Sequence, residues 1–361
     1  MDNLEKVNAV IEKLEKGHIN LYHDITKEEL MSKVNAIDWN SLNKIEFDRE
    51  MLKIFAMLKD AHTRYYTNMA PLKQDIKYIH GRAYTLYNGK YEEIDNISGV
   101  SVSDLVKRFE PLISYETKAW LDRSLSLFFS DYNKYEMIGL TDDLVCTLKN
   151  GKTIKLEAIS EEELNNRIEE NRKTKPYSYK ILDDGILYLR YTKCQNDKDK
   201  PFDVIVEEIK QEYDKGVISS YILDLRGNSG GNSEILNPFQ DFIRDSGLKG
   251  TMLIDNGVFS SGRFAVARFK RDFNTTIIGE ETGGAAKSYG YNQNDKVEDL
   301  SFSYSIRLWD FSDIFGYTGS IKPDIEVVNT IEDIEANRDK QLEIAIEKTR
   351  EMTKTSEILK G

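Results

Sequence analysis

The sequence contains little cysteine, histidine and proline, and each shortage argues against a class of protein. Its 361 residues include two cysteines, four histidines and six prolines. Two cysteines, Cys146 and Cys194, cannot build a disulfide framework, so we expect two free thiols. The histidines form no spacing typical of a metal site, and the composition is not that of a fibrous or disordered chain. We therefore expect a globular protein without a metal or another cofactor.

The sequence also lacks long apolar runs and an excess of positive charge. No segment approaches the roughly 18 apolar residues of a membrane-spanning helix, and the charged N-terminal stretch has no apolar signal-peptide region. By default we expect a cytoplasmic protein, or an exported one if a leader precedes this sequence. The net charge of −12 and the pI near 5.1 make nucleic acid and membrane surfaces poor partners.

What is present is a chain of 40% hydrophobic and 31% charged residues that is long enough for two or three domains. Apolar residues recur at helical spacing through residues 1–70, which predicts an N-terminal helical unit. Residues 71–175 contain short alternating runs joined by Asn-Gly dipeptides at 88–89 and 150–151. These dipeptides predict two β-hairpins in a small β/α segment.

Strand and helix signals alternate through residues 176–361. The runs GILYLRY, SYILDLRG, TMLID and TTIIG indicate strands, and amphipathic helices are predicted between them. This alternation predicts a largely parallel sheet within a mixed α/β fold. A capping-box pattern at Thr330 predicts the start of a C-terminal helix.

Two turns lie where such a fold places ligands, after a strand and before a helix. The first is the glycine-rich segment Asp224–Asn232, DLRGNSGGN, in which successive N–H groups can converge on a developing negative charge. For Asp224 and Arg226 beside it we expect a structural ion pair. No phosphate loop is indicated, because the lysine of that motif is missing.

The second turn lies in Asp255–Phe269, DNGVFSSGRFAVARF, where two serines precede a predicted helix. A serine at this point can expose its hydroxyl group while the next N–H remains available to an oxyanion. The arrangement is similar to a nucleophile elbow, although it lacks the GxSxG sequence. Taken alone, a serine at a helix start is more often an N-cap.

Taken together, the motifs resemble those of the S41 peptidases, the family of tail-specific and C-terminal processing proteases. Besides the segments DLRGNSGG and FSSGRFA, four further landmarks occur in the order typical of that family. They are KDAHT around His62, GEETGG at 279–284, KPDIEV at 322–327 and DxxLExA at 339–345. The resemblance implies a ClpP/crotonase-like catalytic core in residues 176–361, and a degenerate PDZ-like segment within residues 71–175.

The resemblance also implies residue roles. Ser260 is expected to be the nucleophile, and the N–H groups of Ser261 and of Gly230 or Gly231 are expected to form the oxyanion hole. For the base the resemblance leaves three possibilities, which are His62 as in the tricorn-like branch, Lys287, or no functional base.

Several positions depart from the family's patterns. In the processing-protease branch a lysine activates the serine, but the matching position here is Ala285, and Lys287 follows two residues later. Arg263 replaces the acidic residue that commonly follows the nucleophile. Tyr317 stands where the tricorn-like branch has a supporting glutamate.

The resulting expectation is a serine endopeptidase that needs no cofactor and binds extended segments of peptides or unfolded proteins. Two alternatives remain open. One is a catalytically silent peptide-binding protein of the S41 type, and the other is an acyl-transfer enzyme of the crotonase-like fold. The sequence gives no signal for the cleavage preference or the oligomeric state.

Overall fold

The computed structural model describes residues 1–358. The α-helices among them are α1 (Asn3–Gly17), α2 (Lys27–Asn35), α3 (Lys44–Met57), α4 (Val102–Phe109), α5 (Lys118–Phe129), α6 (Tyr132–Met137), α7 (Glu161–Lys173), α8 (Phe202–Asp214), α9 (Asn237–Ser246), α10 (Ser261–Phe273), α11 (Ser312–Phe315), α12 (Ile331–Glu335) and α13 (Lys340–Ile358). Short 3-10 helices lie at Trp39–Ser41, Glu110–Leu112, Asp183–Gly185 and Ser233–Leu236. None of the described helices is long and apolar enough to cross a membrane.

The strands are β1 (Arg64–Tyr65), β2 (Ile76–Ile79), β3 (Arg82–Tyr87), β4 (Lys90–Ile97), β5 (Val100–Ser101), β6 (Val145–Leu148), β7 (Thr153–Lys155), β8 (Tyr177–Leu182), β9 (Ile186–Tyr191), β10 (Ser220–Asp224), β11 (Gly250–Ile254), β12 (Thr276–Gly279), β13 (Lys287–Val297), β14 (Leu300–Asp310) and β15 (Ile325–Glu326). Helices and strands are thus mixed along the chain. The predicted mixed α/β fold class is confirmed.

The chain divides into two compact units. The first contains residues 1–169 together with 287–310, and the second contains residues 170–286 and the chain from 311 onward. The sequence predicts three domains, with boundaries at 70 and 175, and assigns residues 287–310 to the last of them. The structure instead places these residues in the first unit, because β14 pairs with β1 and contributes Phe302 to the N-terminal core.

The N-terminal part of the first unit is a helical layer packed on the β13–β14 hairpin. Capping boxes at Asp2, Thr26 and Asn43 begin α1, α2 and α3, which supports the helical prediction for residues 1–70. Buried residues of these helices pack against Val297, Leu300 and Phe302 of the hairpin. The turn after α3 leads directly into β1, so its position is fixed by a helix on one side and a strand on the other.

A second sheet of the first unit, in the order β2-β3-β4-β6-β7, contains both predicted hairpins. The turn between β3 and β4 has positive φ at Asn88 (50°) and Gly89 (83°), as a type I′ turn requires. The turn between β6 and β7 has positive φ only at Gly151 (81°). This turn contains an additional residue, Lys149, before the Asn150-Gly151 dipeptide. Helices α4, α5 and α6 share a core with this sheet.

The second unit is built on a six-stranded sheet in the order β15-β12-β11-β10-β9-β8. All its strand pairs are parallel except the antiparallel pair β8–β9, so the predicted, largely parallel sheet is present. Helices α8, α9 and α10 pack on one face, and α13 packs on the other. The carboxyl ends of β10 and β11 lie side by side, and the two turns singled out in the sequence follow them.

Two features differ from the predicted elements. The predicted C-terminal helix is divided into α12 and α13, although the capping box at Thr330 is present. No strand is predicted from the sequence between residues 280 and 330, whereas β13 and β14 form a long antiparallel hairpin there.

Candidate active site

The backbone of Ser260 has an unusual conformation, with φ 48° and ψ −124°. A positive φ is rare outside glycine and costs about 1 to 3 kcal/mol, so it persists only where the surroundings enforce it. The side chain of Ser260 makes no capping hydrogen bond to α10, which begins at Ser261. The serine therefore does not act as an N-cap, and its strained strand-to-helix turn has the geometry of a nucleophile elbow.

Two sets of hydrogen bonds hold this turn against the glycine-rich turn. The Asp255 carboxylate, at the end of β11, accepts the N–H groups of Gly227 at 2.7 Å and of Gly257 at 2.9 Å. The Phe259 N–H donates to the Asn228 carbonyl at 2.9 Å. These contacts join the two turns on either side of the serine, and they account for the rigid backbone that its conformation requires.

Asn228 is the central residue of the glycine-rich turn and is fully buried. Its amide Nδ2 donates to the Tyr191 carbonyl at 2.8 Å, and its Oδ1 accepts the Gly230 N–H at 2.9 Å. A Cβ atom on Gly262 would lie 2.6 Å from the Asn228 carbonyl oxygen, so this helical position requires glycine. The close approach brings the start of α10 onto the turn.

The structure distinguishes the two glycines expected in the oxyanion hole. The Gly230 N–H is already used by Asn228, whereas the N–H groups of Gly231 and Ser261 have no acceptor among the described residues. The Ser261 hydroxyl donates to the Gly231 carbonyl at 2.6 Å, which links the two residues directly. The N–H groups of Gly231 and Ser261 are thus the pair that can bind a developing oxyanion.

Arg263, which replaces an acidic residue of the processing-protease branch, is buried and hydrogen-bonded to backbone carbonyl groups. It is 1% exposed, its Nε donates to the Ser260 carbonyl at 3.2 Å, and its Nη1 donates to the Ala285 carbonyl. The side chain of Arg263 also occupies the space where a Cβ on Gly284 would lie. The arginine therefore holds the nucleophile turn to the segment containing Ala285, where that branch has its lysine.

Lys287 lies in the first unit, at the beginning of β13. Its side chain is 44% exposed, and its Nζ is 3.0 Å from Asp310 Oδ2. A lysine that activates a serine must be desolvated. Lys287 has no such environment in this structure.

His62 lies in the first unit, in the turn between α3 and β1, and is 5% exposed. The buried Asp60 carboxylate organises this turn. Its Oδ1 accepts the His62 N–H at 2.8 Å, and its Oδ2 accepts the Thr63 hydroxyl at 2.6 Å and His18 Nε2 at 2.9 Å. The Ser303 hydroxyl donates to the His62 carbonyl at 2.8 Å, so the hairpin also fixes this residue.

The hydrogen bonds of His18 determine its tautomer. Nδ1 accepts the Asn20 N–H at 3.0 Å, so the proton must be on Nε2, which donates to Asp60. His18 is therefore a neutral donor to a buried carboxylate. Burial raises the pKa of Asp60, but the bond from His18, together with the attraction of the His62 imidazole when it is protonated, outweighs this effect and lowers the pKa below its ordinary value.

A second carboxylate, that of Glu116, also lies close to His62. Asp60, His62 and Glu116 each have one polar side-chain atom within 4.8 Å of those of the other two. Glu116 Oε1 accepts the Ala61 N–H at 3.2 Å. The nitrogen and oxygen atoms of these three side chains are of the kinds that bind metal ions. Both oxygens of Asp60 already accept hydrogen bonds, however, so we assign no metal to this group. The arrangement is a histidine beside two carboxylates.

Sequence reasoning missed Asp60, Glu116 and His18. Asp60 was visible two residues before His62 in KDAHT, while nothing in the sequence connects Glu116 or His18 with this turn. Tyr317, in the second unit, accepts the Lys322 N–H on its hydroxyl group at 2.9 Å, which is a structural contact. Asp224 and Arg226 form the expected ion pair, at 2.7 Å.

The fold and the serine turn define a class, the α/β proteins with a serine at a strained strand-to-helix turn beside a glycine-rich loop. No protein-family model and no curated protein matches the sequence. Solved structures are similar over nearly the whole chain. Mature CPAF has a TM-score of 0.61 at 12% identity, covering 92% of this chain and 94% of that chain.

A complex of mature CPAF with lactacystin has a TM-score of 0.65 at 11% identity, covering 98% of both chains. A candidate peptidase from Parabacteroides merdae has a TM-score of 0.52 at 14% identity, covering 97% of both chains. The chain therefore has the fold of these proteins. The fold implied by the resemblance to S41 peptidases is confirmed.

Proposed function

We propose that the protein is a serine peptidase of the S41 type that hydrolyses peptide bonds through an acyl-enzyme on Ser260. The observation that carries this proposal is the strained backbone of Ser260, whose side chain does not cap the helix behind it. Strained conformations at non-glycine residues cluster at active sites and ligand-binding segments. The fold of CPAF-type proteins and the family motifs support the same proposal.

In the acylation step, the Ser260 hydroxyl attacks the carbonyl carbon of the scissile peptide bond while His62 accepts its proton. The carbonyl oxygen becomes an oxyanion, and the N–H groups of Ser261 and Gly231 stabilise it. One such donor typically contributes about 10² to 10³ in rate. The tetrahedral intermediate then breaks the C–N bond, and the leaving amine takes the proton from His62.

In the deacylation step, water attacks the ester on Ser260 and His62 again accepts a proton. Collapse of the second tetrahedral intermediate releases the carboxylic acid product and returns the proton to Ser260. An imidazole needs little adjustment to serve as a base near neutral pH, and this role contributes about 10² to 10⁴ in rate. Neither step needs a cofactor.

We propose His62 rather than Lys287 as the base because their environments differ. His62 is 5% exposed and lies beside two carboxylates, which can orient the imidazole and stabilise its protonated form. Lys287 is exposed and paired with Asp310. Asp60 and Glu116 act in this scheme as positioning residues for His62.

The experiment that tests the proposal is labelling with a fluorophosphonate probe, followed by peptide mapping. Lactacystin is tested in parallel, since one CPAF structure is a complex with this compound. We expect modification of Ser260 in the wild-type protein and none in Ser260→Ala. Ser261→Ala is the matched control, because it retains the backbone N–H and removes only the hydroxyl bond to Gly231.

The same experiment separates the proposal from its alternatives. A silent peptide-binding protein would bind peptides without modification of Ser260. An acyl-transfer enzyme would turn over a thioester substrate, and Ser260→Ala would leave that turnover intact. Absence of labelling together with unchanged peptide hydrolysis by Ser260→Ala would exclude the proposed mechanism.

A further inference from the structure

One face of the β13–β14 hairpin presents an arginine in contact with two aromatic rings. The guanidinium carbon of Arg307 lies 4.9 Å from the centre of the Tyr291 ring and 5.7 Å from that of the Trp309 ring. Arg307 is exposed, and no carboxylate of the described residues lies within ion-pair distance of it. Its positive charge is therefore presented to solvent in a defined orientation.

This arginine lies beside the proposed base within the same unit. Arg307 is paired with Gly290 across the hairpin. A Cβ atom placed on Gly290 would lie 3.4 Å and 3.5 Å from Cε1 and Nε2 of His62, and 3.6 Å from Cδ1 of Trp309. Residues directly opposite each other on antiparallel strands have side chains on one face, about 5 Å apart at Cβ. Arg307, Trp309 and His62 thus share this face.

Tyr291 has no role in the hydrophobic core. It is 57% exposed and has a φ of 55° in the middle of β13, between Gly290 and Asn292, which both pair normally. The left-handed conformation costs roughly 1 to 2 kcal/mol for a residue with a side chain. The contact that this conformation produces is the stacking of its ring on Arg307.

We propose that Arg307, in contact with the rings of Tyr291 and Trp309, forms a carboxylate-binding subsite next to His62. The proposal rests on the proposed peptidase function and specifies its substrates. They carry a carboxylate, from an aspartate, a glutamate or a free C-terminus, near the scissile bond.

The chemistry of the arginine favours this class of ligand. A planar guanidinium group binds a carboxylate through two parallel hydrogen bonds, and stacking on aromatic rings holds its plane while leaving its edge accessible. The net charge of −12 repels acidic segments from most of the surface, so an exposed cation beside the catalytic histidine directs them to one place. An extended chain advances about 3.3 Å per residue, which puts the carboxylate within about three residues of the cleaved bond.

The test uses a proteome-derived peptide pool with two readouts. Cleavage by the wild-type protein is compared with cleavage by Arg307→Gln, and peptides retained by Ser260→Ala are compared with those retained by Ser260→Ala/Arg307→Gln. Arg123→Gln is the matched control, because Arg123 is an exposed arginine of α5 in the same unit that stacks on no aromatic ring and forms no ion pair among the described residues. A C-terminally amidated pool distinguishes side-chain carboxylates from terminal ones.

We expect Asp and Glu, or free C-termini, to be enriched near the cleaved bond and among retained peptides. Arg307→Gln should reduce this enrichment about tenfold, a typical effect for loss of one charged hydrogen-bonded pair, with neutral peptides cleaved within about threefold of the wild-type rate. Tyr291→Gly should reduce it in the same direction without a folding cost, because glycine adopts positive φ freely.

The outcomes distinguish this inference from the proposed function. If no peptide is cleaved, but Ser260→Ala retains acidic peptides through Arg307, the peptidase proposal fails and the subsite stands. If peptides are cleaved or retained without acidic enrichment, or with an enrichment that Arg307→Gln leaves unchanged, the subsite proposal is overturned and the peptidase proposal is unaffected.

Discussion

Gly230 lies against Ser260 so closely that a Cβ atom on the glycine would be 2.7 Å from the Cβ of the serine. The same atom would lie 2.7 Å from the Ser261 nitrogen, and Gly230 itself has a φ of 102°. Both the conformation and the space require glycine at this position. The conformation of the proposed nucleophile therefore depends on a residue 30 positions earlier, in the other turn.

Gly230→Ala is expected to abolish most activity because the added methyl group displaces Ser260 and Ser261. A displacement of about 1 Å at a catalytic group can cost about 100-fold in rate. Gly227→Ala is the matched control, since Gly227 also has positive φ (75°) but no atom within 4 Å of the position that an added Cβ would take. We expect kcat/KM to fall at least about 100-fold in Gly230→Ala only, with thermal unfolding measured to confirm that both variants fold.

Glu116→Gln is expected to lower kcat/KM about 10- to 100-fold, because the neutral amide orients His62 less well and no longer stabilises its imidazolium form. The loss of a negative charge beside His62 should also move the acid limb of the pH profile to lower pH. Glu116→Asp, which keeps the negative charge, should restore part of kcat/KM and part of the wild-type position of the acid limb. Glu110→Gln is the control, as its carboxylate binds the Tyr115 hydroxyl instead. A pH profile identical to the wild type would show that Glu116 does not act on His62.

Asp60→Asn is expected to reduce the free energy of unfolding at pH 7 by about 3 kcal/mol, because the buried amide cannot accept all the donors that the carboxylate accepts. The pKa of Asp60 is lowered in the folded protein, so its stabilising effect is present above the ordinary carboxyl pKa of about 3.9 and is lost as the pH falls below it. Denaturant titrations at several pH values should show that the unfolding free energies of the wild type and Asp60→Asn approach each other at low pH. Asp95→Asn, at an exposed carboxylate, should show no comparable loss.

Arg226→Met is expected to destabilise the second unit by about 2 to 4 kcal/mol, since it leaves the fully buried Asp224 with fewer partners. Arg226 also donates to Asp339 at 2.7 Å, just before α13, so the C-terminal helix loses a contact. Arg350→Met is the control, because its ion pair with Asp184 is exposed and should contribute less than about 1 kcal/mol. Equal effects of the two substitutions, measured by chemical denaturation, would contradict this account of the network.

Much of the second unit could be predicted because its information is local. Buried strands separated by amphipathic helices produce a recognisable alternation, and the glycine and serine turns follow the strands directly. The resemblance to S41 peptidases rests on the same segments. Here local sequence patterns and the tertiary fold agree, so the sheet and the turn around Ser260 were predictable.

The arrangement around His62 was not predictable in the same way, because it depends on residues distant in sequence. His18 follows α1 and Glu116 precedes α5, and although α1 itself has a periodic pattern, no local sequence pattern indicates that these two side chains reach the His62 turn. The hairpin 287–310 was missed as well, since only its pairing with β1 shows where it belongs. The φ of Ser260 likewise results from two interlocked turns rather than from its own sequence.

The most direct test of the central claim is the rate at which a fluorophosphonate modifies Ser260 at pH 7 in the wild-type protein, His62→Ala and Lys287→Met. The account predicts that His62→Ala reacts about 10² to 10⁴ times more slowly and regains part of the rate with added imidazole, while Lys287→Met reacts within about threefold of the wild type. A rate unchanged in His62→Ala, or lost in Lys287→Met, would contradict it.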